Sequence, residues 1–261
     1  MILSFFNFSK QAFPLIFALA FSQSLFAKEL VVNQVHFFNA PNELTESSLQ
    51  EIIDTVQSFL EWDLRKISVF EYQDISEFNS QHNLSFPVEA VFRKSDSTIH
   101  ISPKVKIEDL RRVLSHELVH AIFFQKHKNS IPSWLEEGLA NYIGKYQSPD
   151  YRWLKEKSWS DVSQMGHPSS ASVDSRTYYS VSAGLIEMIA AKCNLKDLLQ
   201  LSVGAKMTTY LKTYCEISDL NSDFKKWVNL RASASTTKRA EKESPNAPWW
   251  KRKKEKQWWQ K

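Results

Sequence analysis

The order of apolar and polar positions predicts a small mixed layer of strands and helices in the first hundred residues. Residues 44–62 repeat apolar side chains at steps of three and four, which predicts an amphipathic helix, and 75–83 predict a short helix or turn. Short runs rich in Val, Ile and Phe are typical of strands, and they occupy 30–38, 66–72, 88–93 and 98–102.

A longer helical pattern follows. Apolar side chains recur at helical spacing at Ile107, Leu110, Val113, Leu114, Ala121 and Ile122. After it, a partly helical loop over 151–162 lies within a Ser-rich connector. Further helices are predicted over 182–193, 194–202, 206–215 and 222–230. The expected fold class is therefore α+β, with a mixed sheet first and a mainly helical C-terminal lobe.

Composition divides the chain into three parts. Residues 1–27 resemble a secretory signal peptide, with Lys10 before an apolar run of about ten residues, shorter than the ~20 needed to span a membrane. An uncleaved N-terminal anchor is the alternative. Residues 28–231 form the expected globular domain, since 43% of the chain is hydrophobic. We expect an exported protein, periplasmic or secreted.

The remaining residues, 232–261, are expected to be a disordered basic tail rich in tryptophan. Residues 238–261 carry nine Lys or Arg and three Glu, and two Trp pairs flank the basic run. This pattern favours an anionic membrane surface or envelope polymer as a partner. A solubilising tail is the alternative, and nucleic acid is not expected as a partner of an exported protein.

The chain has two cysteines, Cys193 and Cys215. In an oxidising compartment, a lone pair of cysteines is a disulfide candidate. Two buried free thiols are the alternative, because the sequence does not show how close the two residues lie.

The helical pattern contains the pentad H-E-x-x-H at residues 116–120. Residues four apart share one face of a helix, so His116 and His120 could present two imidazoles to one metal ion. Glu117 could reach a water on that metal and act as a general base. The alternative is an ordinary amphipathic helix whose histidines are solvated.

The segment after the pentad resembles a known family. Residues 131–142 read IPSWLEEGLANY, and together with the pentad they are similar to the gluzincin metallopeptidases, most closely the peptidase MA-like group with its W-L-x-E-G-x-A-x-Y helix. The resemblance implies that Glu137, separated from His120 by sixteen residues, is the third ligand of one Zn²⁺ per chain. It also implies a zincin-like fold and a peptide or protein substrate, which would pair with an edge strand at 98–102.

Further residues have candidate roles near this metal. Zinc-bound histidines usually donate their second N–H to an acceptor. Asn141 is a candidate partner for His116, and Glu136 is a candidate partner for His120. The resemblance also implies a catalytic tyrosine that stabilises the oxyanion, for which Tyr179 is the better match and Tyr178 the fallback.

The predicted function is an exported zinc metallopeptidase. One alternative is an envelope-binding protein of the same fold that acts through its tail and does not need catalysis. Another is zinc chemistry on a different bond, such as a cell-wall cross-link. On the strand at 98–102, His100 is expected to be a surface histidine rather than a substrate contact.

Overall fold

The computed structural model describes residues 28–84, 86–128, 130–159, 161–162, 165–168, 174–202 and 207–243. Within these residues it has an α+β fold with one five-stranded mixed sheet and nine helices. The predicted signal peptide (1–27) and the Trp-rich end of the tail (244–261) lie outside the described residues. In the part of the chain that is described, no helix has the length and apolar character needed to cross a bilayer.

The sheet combines a parallel centre with two antiparallel edges. Its strands are β1 (Leu30–Val32), β2 (Val35–Phe38), β3 (Ile67–Glu71), β4 (Ala90–Arg93) and β5 (Thr98–Ile101). They lie in the order β1-β2-β3-β5-β4. β2, β3 and β5 run parallel, while β1 and β4 pair antiparallel with their neighbours.

The helices occupy the rest of the described chain. They are α1 (Glu46–Leu60), α2 (Ile75–Asn79), α3 (Ile107–His127), α4 (Ser133–Ile143), α5 (Tyr151–Lys155), α6 (Ser175–Ala190), α7 (Leu195–Ser202), α8 (Met207–Tyr214) and α9 (Leu220–Glu243). α3 packs against α1, α4 and β4, and α4 also packs along α6. The apolar positions predicted on the α3 stripe are buried, except Ile107, which is exposed.

The segment predicted as one strand, 30–38, is a hairpin of two strands. Asn33 takes a left-handed backbone conformation (φ 52°) in a two-residue turn between β1 and β2. Asn tolerates this conformation better than most residues, and such turns match the twist of antiparallel strands. A strand pattern alone does not reveal such a reversal, because apolar side chains continue on both sides of the turn.

The expectation that residues 98–102 form the edge strand is wrong. β5 lies between β3 and β4, and β4 is the edge strand that approaches α3. The expectation of a surface His100 is wrong for the same reason, since this side chain is only 2% exposed. Its ring nitrogens bond to the Tyr72 hydroxyl and to the Thr98 hydroxyl, each at 2.8 Å.

The C-terminal half is helical, as predicted. Cys193, just after α6, and Cys215, just after α8, form a disulfide. This answers the question of pairing that the sequence left open. A disordered tail was expected from residue 232, whereas α9 continues to Glu243.

Candidate metal centre

Two helices bring the three predicted ligands together. His116 and His120 lie one turn apart on α3, and their Nε2 atoms are 3.1 Å apart. Glu137 comes from α4, which packs on α3. Its carboxylate oxygens lie 3.6 Å from His116 Nε2 and 3.7 Å from His120 Nε2.

These distances fit a tetrahedral metal site. Zinc binds imidazole nitrogen and carboxylate oxygen at about 2.0–2.2 Å, so two ligand atoms at corners of a tetrahedron lie roughly 3.3–3.6 Å apart. The observed separations of 3.1, 3.6 and 3.7 Å are close to that range, and the last two go to different oxygens of Glu137. Two nitrogens and one oxygen are also a donor set that zinc accepts in catalytic sites.

The electrostatics of the cluster favour a carboxylate at Glu137. Burial by itself would raise the pKa of this carboxyl, but the charge of His120 and the nearby imidazoles of His116 and His167 outweigh it. The net result is a pKa well below the usual value. Glu137 is therefore held as an anion, which is the form that binds a cation.

Glu117 lies beside the three ligands and faces the same cleft. Its side chain is buried, and burial raises its pKa, an effect opposed by His116 and His120. The backbone of Phe92 on β4 also acts to lower this pKa. The predicted base is thus a desolvated carboxyl between the candidate metal ligands and the edge strand.

The structure places the two proposed orienting residues differently. Glu136 accepts a hydrogen bond from Nδ1 of His120 at 2.8 Å, as the sequence suggested. Asn141 lines the cleft, but no hydrogen bond joins it to His116. Among the described residues, Nδ1 of His116 has no hydrogen-bond partner although it is buried. The expected contact from Asn141 to His116 is therefore wrong.

Of the two candidate tyrosines, only Tyr179 faces the cleft. Tyr178, the preceding residue on α6, is fully buried in the core. Burial raises the pKa of Tyr179 further above its ordinary value, so the hydroxyl keeps its proton at neutral pH and can donate it in a hydrogen bond.

His167 is a cleft residue that the sequence did not single out. Its Nε2 lies 3.4 Å from an oxygen of Glu137 and 3.3 Å from the hydroxyl of Tyr179. It precedes Pro168 in the Ser-rich connector, and no spacing relates it to the pentad. From the sequence, the only indication that His167 belongs to the site is its being a histidine in a connector, which is weak evidence without the tertiary contact.

The three candidate ligands, His116, His120 and Glu137, line one side of a cleft of about 710 Å³. The opposite wall is the open edge of β4. The Glu89 carbonyl accepts a hydrogen bond from the N–H of Ser102, which directly follows β5. In an antiparallel pair the backbone groups of every second residue point toward the neighbouring strand, so those of Glu89 and Val91 point toward β5. The backbone groups of Ala90 and Phe92 consequently point away from β5, toward the cleft.

Comparisons of the chain with protein-family models, with curated proteins and with solved structures find no match. Functional inference for this protein therefore depends on its own residues and their geometry.

Proposed function

We propose that this chain is an exported zinc metallopeptidase of gluzincin type, with a zincin-like fold. The observation that carries the proposal is the convergence of His116, His120 and Glu137, with ligand atoms within 4.8 Å of one another and a buried carboxyl at Glu117 beside them. If the two histidines were paired on the helix by chance, there would be no reason to find an anionic third donor from another helix beside them, or an adjacent cleft.

The open edge of β4 supports a peptide as substrate. An extended chain can add to such an edge through main-chain hydrogen bonds, with pockets for its alternate side chains. Ala90 and Phe92 direct their backbone groups into the cleft, and Phe92 also contacts Glu117. A peptide bound there would pass alongside the candidate metal ligands.

The chemistry assigns a step to each polar group. Zinc, when bound, would lower the pKa of a water molecule and polarise the scissile carbonyl. Glu117 takes one proton from the attacking water and delivers it to the departing amine nitrogen, as the water oxygen joins the carbonyl carbon and the C–N bond breaks. Burial raises the pKa of Glu117, and a higher pKa makes its carboxylate a stronger base. The hydroxyl of Tyr179 donates a hydrogen bond to the carbonyl oxygen as negative charge develops there.

The disulfide between Cys193 and Cys215 supports the export part of the proposal. Structural disulfides persist in oxidising compartments and are rare in the cytosol of most organisms. A periplasmic or secreted location would provide that environment.

The test is a comparison of zinc content and peptide hydrolysis in the purified full chain and two variants. Wild type is expected to bind about one zinc per chain and His116→Ala to lose it, since three protein ligands are needed. Glu117→Gln is expected to keep the zinc and to lose turnover by roughly 10²–10⁴-fold, the usual contribution of a general base.

Glu108→Gln serves as the matched control, because Glu108 is an exposed carboxylate on the first turn of the same helix. It should behave as wild type in both assays. A wild-type chain that takes up no zinc at neutral pH, or a Glu117→Gln variant with full turnover on a cleaved peptide, would refute the proposal.

A further inference from the structure

His116 lacks the acceptor that orients a zinc-bound imidazole in most sites. Its Nε2 faces the other two candidate ligands, and its Nδ1 is buried without a hydrogen-bond partner among the described residues. His120, in contrast, is held at Nδ1 by Glu136. Among the described residues, no hydrogen bond at Nδ1 therefore fixes the ring of His116.

An aromatic ring lies against His116 instead. The centroid of the Tyr146 ring is 5.2 Å from that of His116, and the two planes are tilted by 53°. Tyr146 follows α4, and its backbone N–H bonds to the carbonyl of Asn141 at 3.0 Å. It lines both the cleft with the candidate metal ligands and a second cavity of about 480 Å³.

The Tyr146 ring also contacts a charged group. The Arg112 guanidinium carbon lies 4.2 Å from the Tyr146 ring centroid, a cation–π geometry. Two nitrogens of Arg112 bond to the two carboxylate oxygens of Glu89 at 2.9 and 2.8 Å. Arg112 is one helical turn before His116 on α3, and Glu89 immediately precedes β4. The ring thus contacts both the imidazole and an ion pair that joins α3 to the edge strand.

We propose that Tyr146 is the positioning residue of His116, with its aromatic ring taking the place of the missing hydrogen-bond acceptor, and that Arg112 and Glu89 hold that ring in place. The proposal rests on the proposed metal site. Its physical basis is that the aromatic ring packed against the imidazole limits the rotation of the His116 side chain. Less conformational freedom is therefore lost when Nε2 of His116 binds the metal.

Zinc affinity measured by competition with a chelator tests the proposal, together with the visible spectrum of the Co²⁺-substituted full chain. Partners of metal ligands typically contribute 10–100-fold in affinity, so Tyr146→Leu is expected to weaken zinc binding by about 10-fold or more. Its Co²⁺ spectrum should change as well, because that spectrum reports ligand geometry. Tyr146→Phe, which keeps the ring, should stay within about twofold of wild type. Arg112→Gln should shift affinity in the same direction as Tyr146→Leu by a smaller factor.

Tyr142→Leu is the matched control. Tyr142 is a 44% exposed tyrosine on α4 that also lines the second cavity but has no ring contact with His116. It should leave affinity and spectrum unchanged, and urea unfolding of the metal-free proteins checks that each variant is folded.

Two results would overturn this assignment while leaving the metal site in place. One is a folded Tyr146→Leu chain with wild-type zinc affinity and Co²⁺ spectrum. The other is a Tyr146→Phe chain as weak as Tyr146→Leu, which would make the hydroxyl rather than the ring responsible. A wild-type chain without zinc affinity would refute the proposed function itself, which is a different outcome.

Discussion

Replacing Gly138 by alanine should disturb the site through helix packing alone. Gly138 follows the candidate ligand Glu137 on α4, where that helix meets α6. A Cβ at this position would lie 2.4 Å from the backbone oxygen of Ser182 and 2.5 Å from a side-chain carbon of Ile186. Ordinary van der Waals contact begins at 3.4 Å. The two helices would therefore have to separate by about 1 Å, because backbone cannot rotate out of the way.

The magnitude follows from two opposing effects. Overpacking in a close-packed interior costs roughly 1–3 kcal/mol, and the backbone clash places Gly138→Ala at the upper end. Alanine recovers about 1 kcal/mol of helix propensity. We expect a net loss of about 2 kcal/mol in the free energy of unfolding. The same shift moves Glu137 relative to Tyr179, and a displacement of about 1 Å can cost up to ~10²-fold in turnover.

Gly184→Ala is the matched control on α6. Its Cβ would meet the Phe224 ring at 3.1 Å, so a side chain has to give by only a few tenths of an ångström. The helix-propensity gain of about 1 kcal/mol should offset this, leaving stability near that of wild type. Urea unfolding and zinc titration of both variants provide the assay. A Gly138→Ala protein as stable as Gly184→Ala, with unchanged zinc affinity, would show that the α4–α6 contact does not position the site.

Three further predictions concern protonation, ligand orientation and the disulfide. Burial lowers the pKa of His100 from 6.5 to about 4, so between these pH values the unfolded chain binds a proton that the native chain does not. As the pH falls from 6.5 to 4, the wild type should therefore lose up to about 3 kcal/mol in the free energy of unfolding. His100→Gln should lose correspondingly less when urea unfolding is compared at pH 7 and pH 4.5. If both proteins show the same pH dependence, His100 is not the group responsible. Glu136→Gln removes the charge that holds Nδ1 of His120 and should weaken zinc binding by roughly 10-fold in chelator competition, whereas unchanged affinity would contradict that role. Replacing Cys193 and Cys215 together by alanine should lower the free energy of unfolding by about 3 kcal/mol, because the bond closes a loop across a separation of 22 residues; an unchanged urea midpoint would show that the bond does not stabilise the fold.

The candidate metal ligands were predictable because their relation is mostly local. His116 and His120 are four residues apart on a helix whose apolar periodicity is clear, and that spacing by itself places both imidazoles on one face. Glu137 is more distant and was assigned through a resemblance of motif. Its approach depends on the packing of α4 against α3, and the structure brings the three side chains together.

The order of the strands was not predictable from the pattern. β4 and β5 are adjacent apolar segments joined by a tight polar turn, and either could have formed the edge. The pairing of β3 with β5 joins segments that are about 30 residues apart. It determines both the burial of His100 and the strand that faces the cleft. Such non-local pairing is decided by the fit of the whole sheet, because strand propensity carries no information about neighbours.

The sequence by itself determined the α+β class, the motif helix and the residues able to bind a metal, since these follow from side-chain chemistry and short-range periodicity. Only the tertiary structure decided which groups surround those ligands. His167 approaches Glu137 from a connector, and the ring of Tyr146 contacts His116, for which a contact from Asn141 was expected. Both contacts depend on where chain segments outside the motif fold back onto it. No local spacing encodes that return, because it results from burying apolar surface across the whole domain.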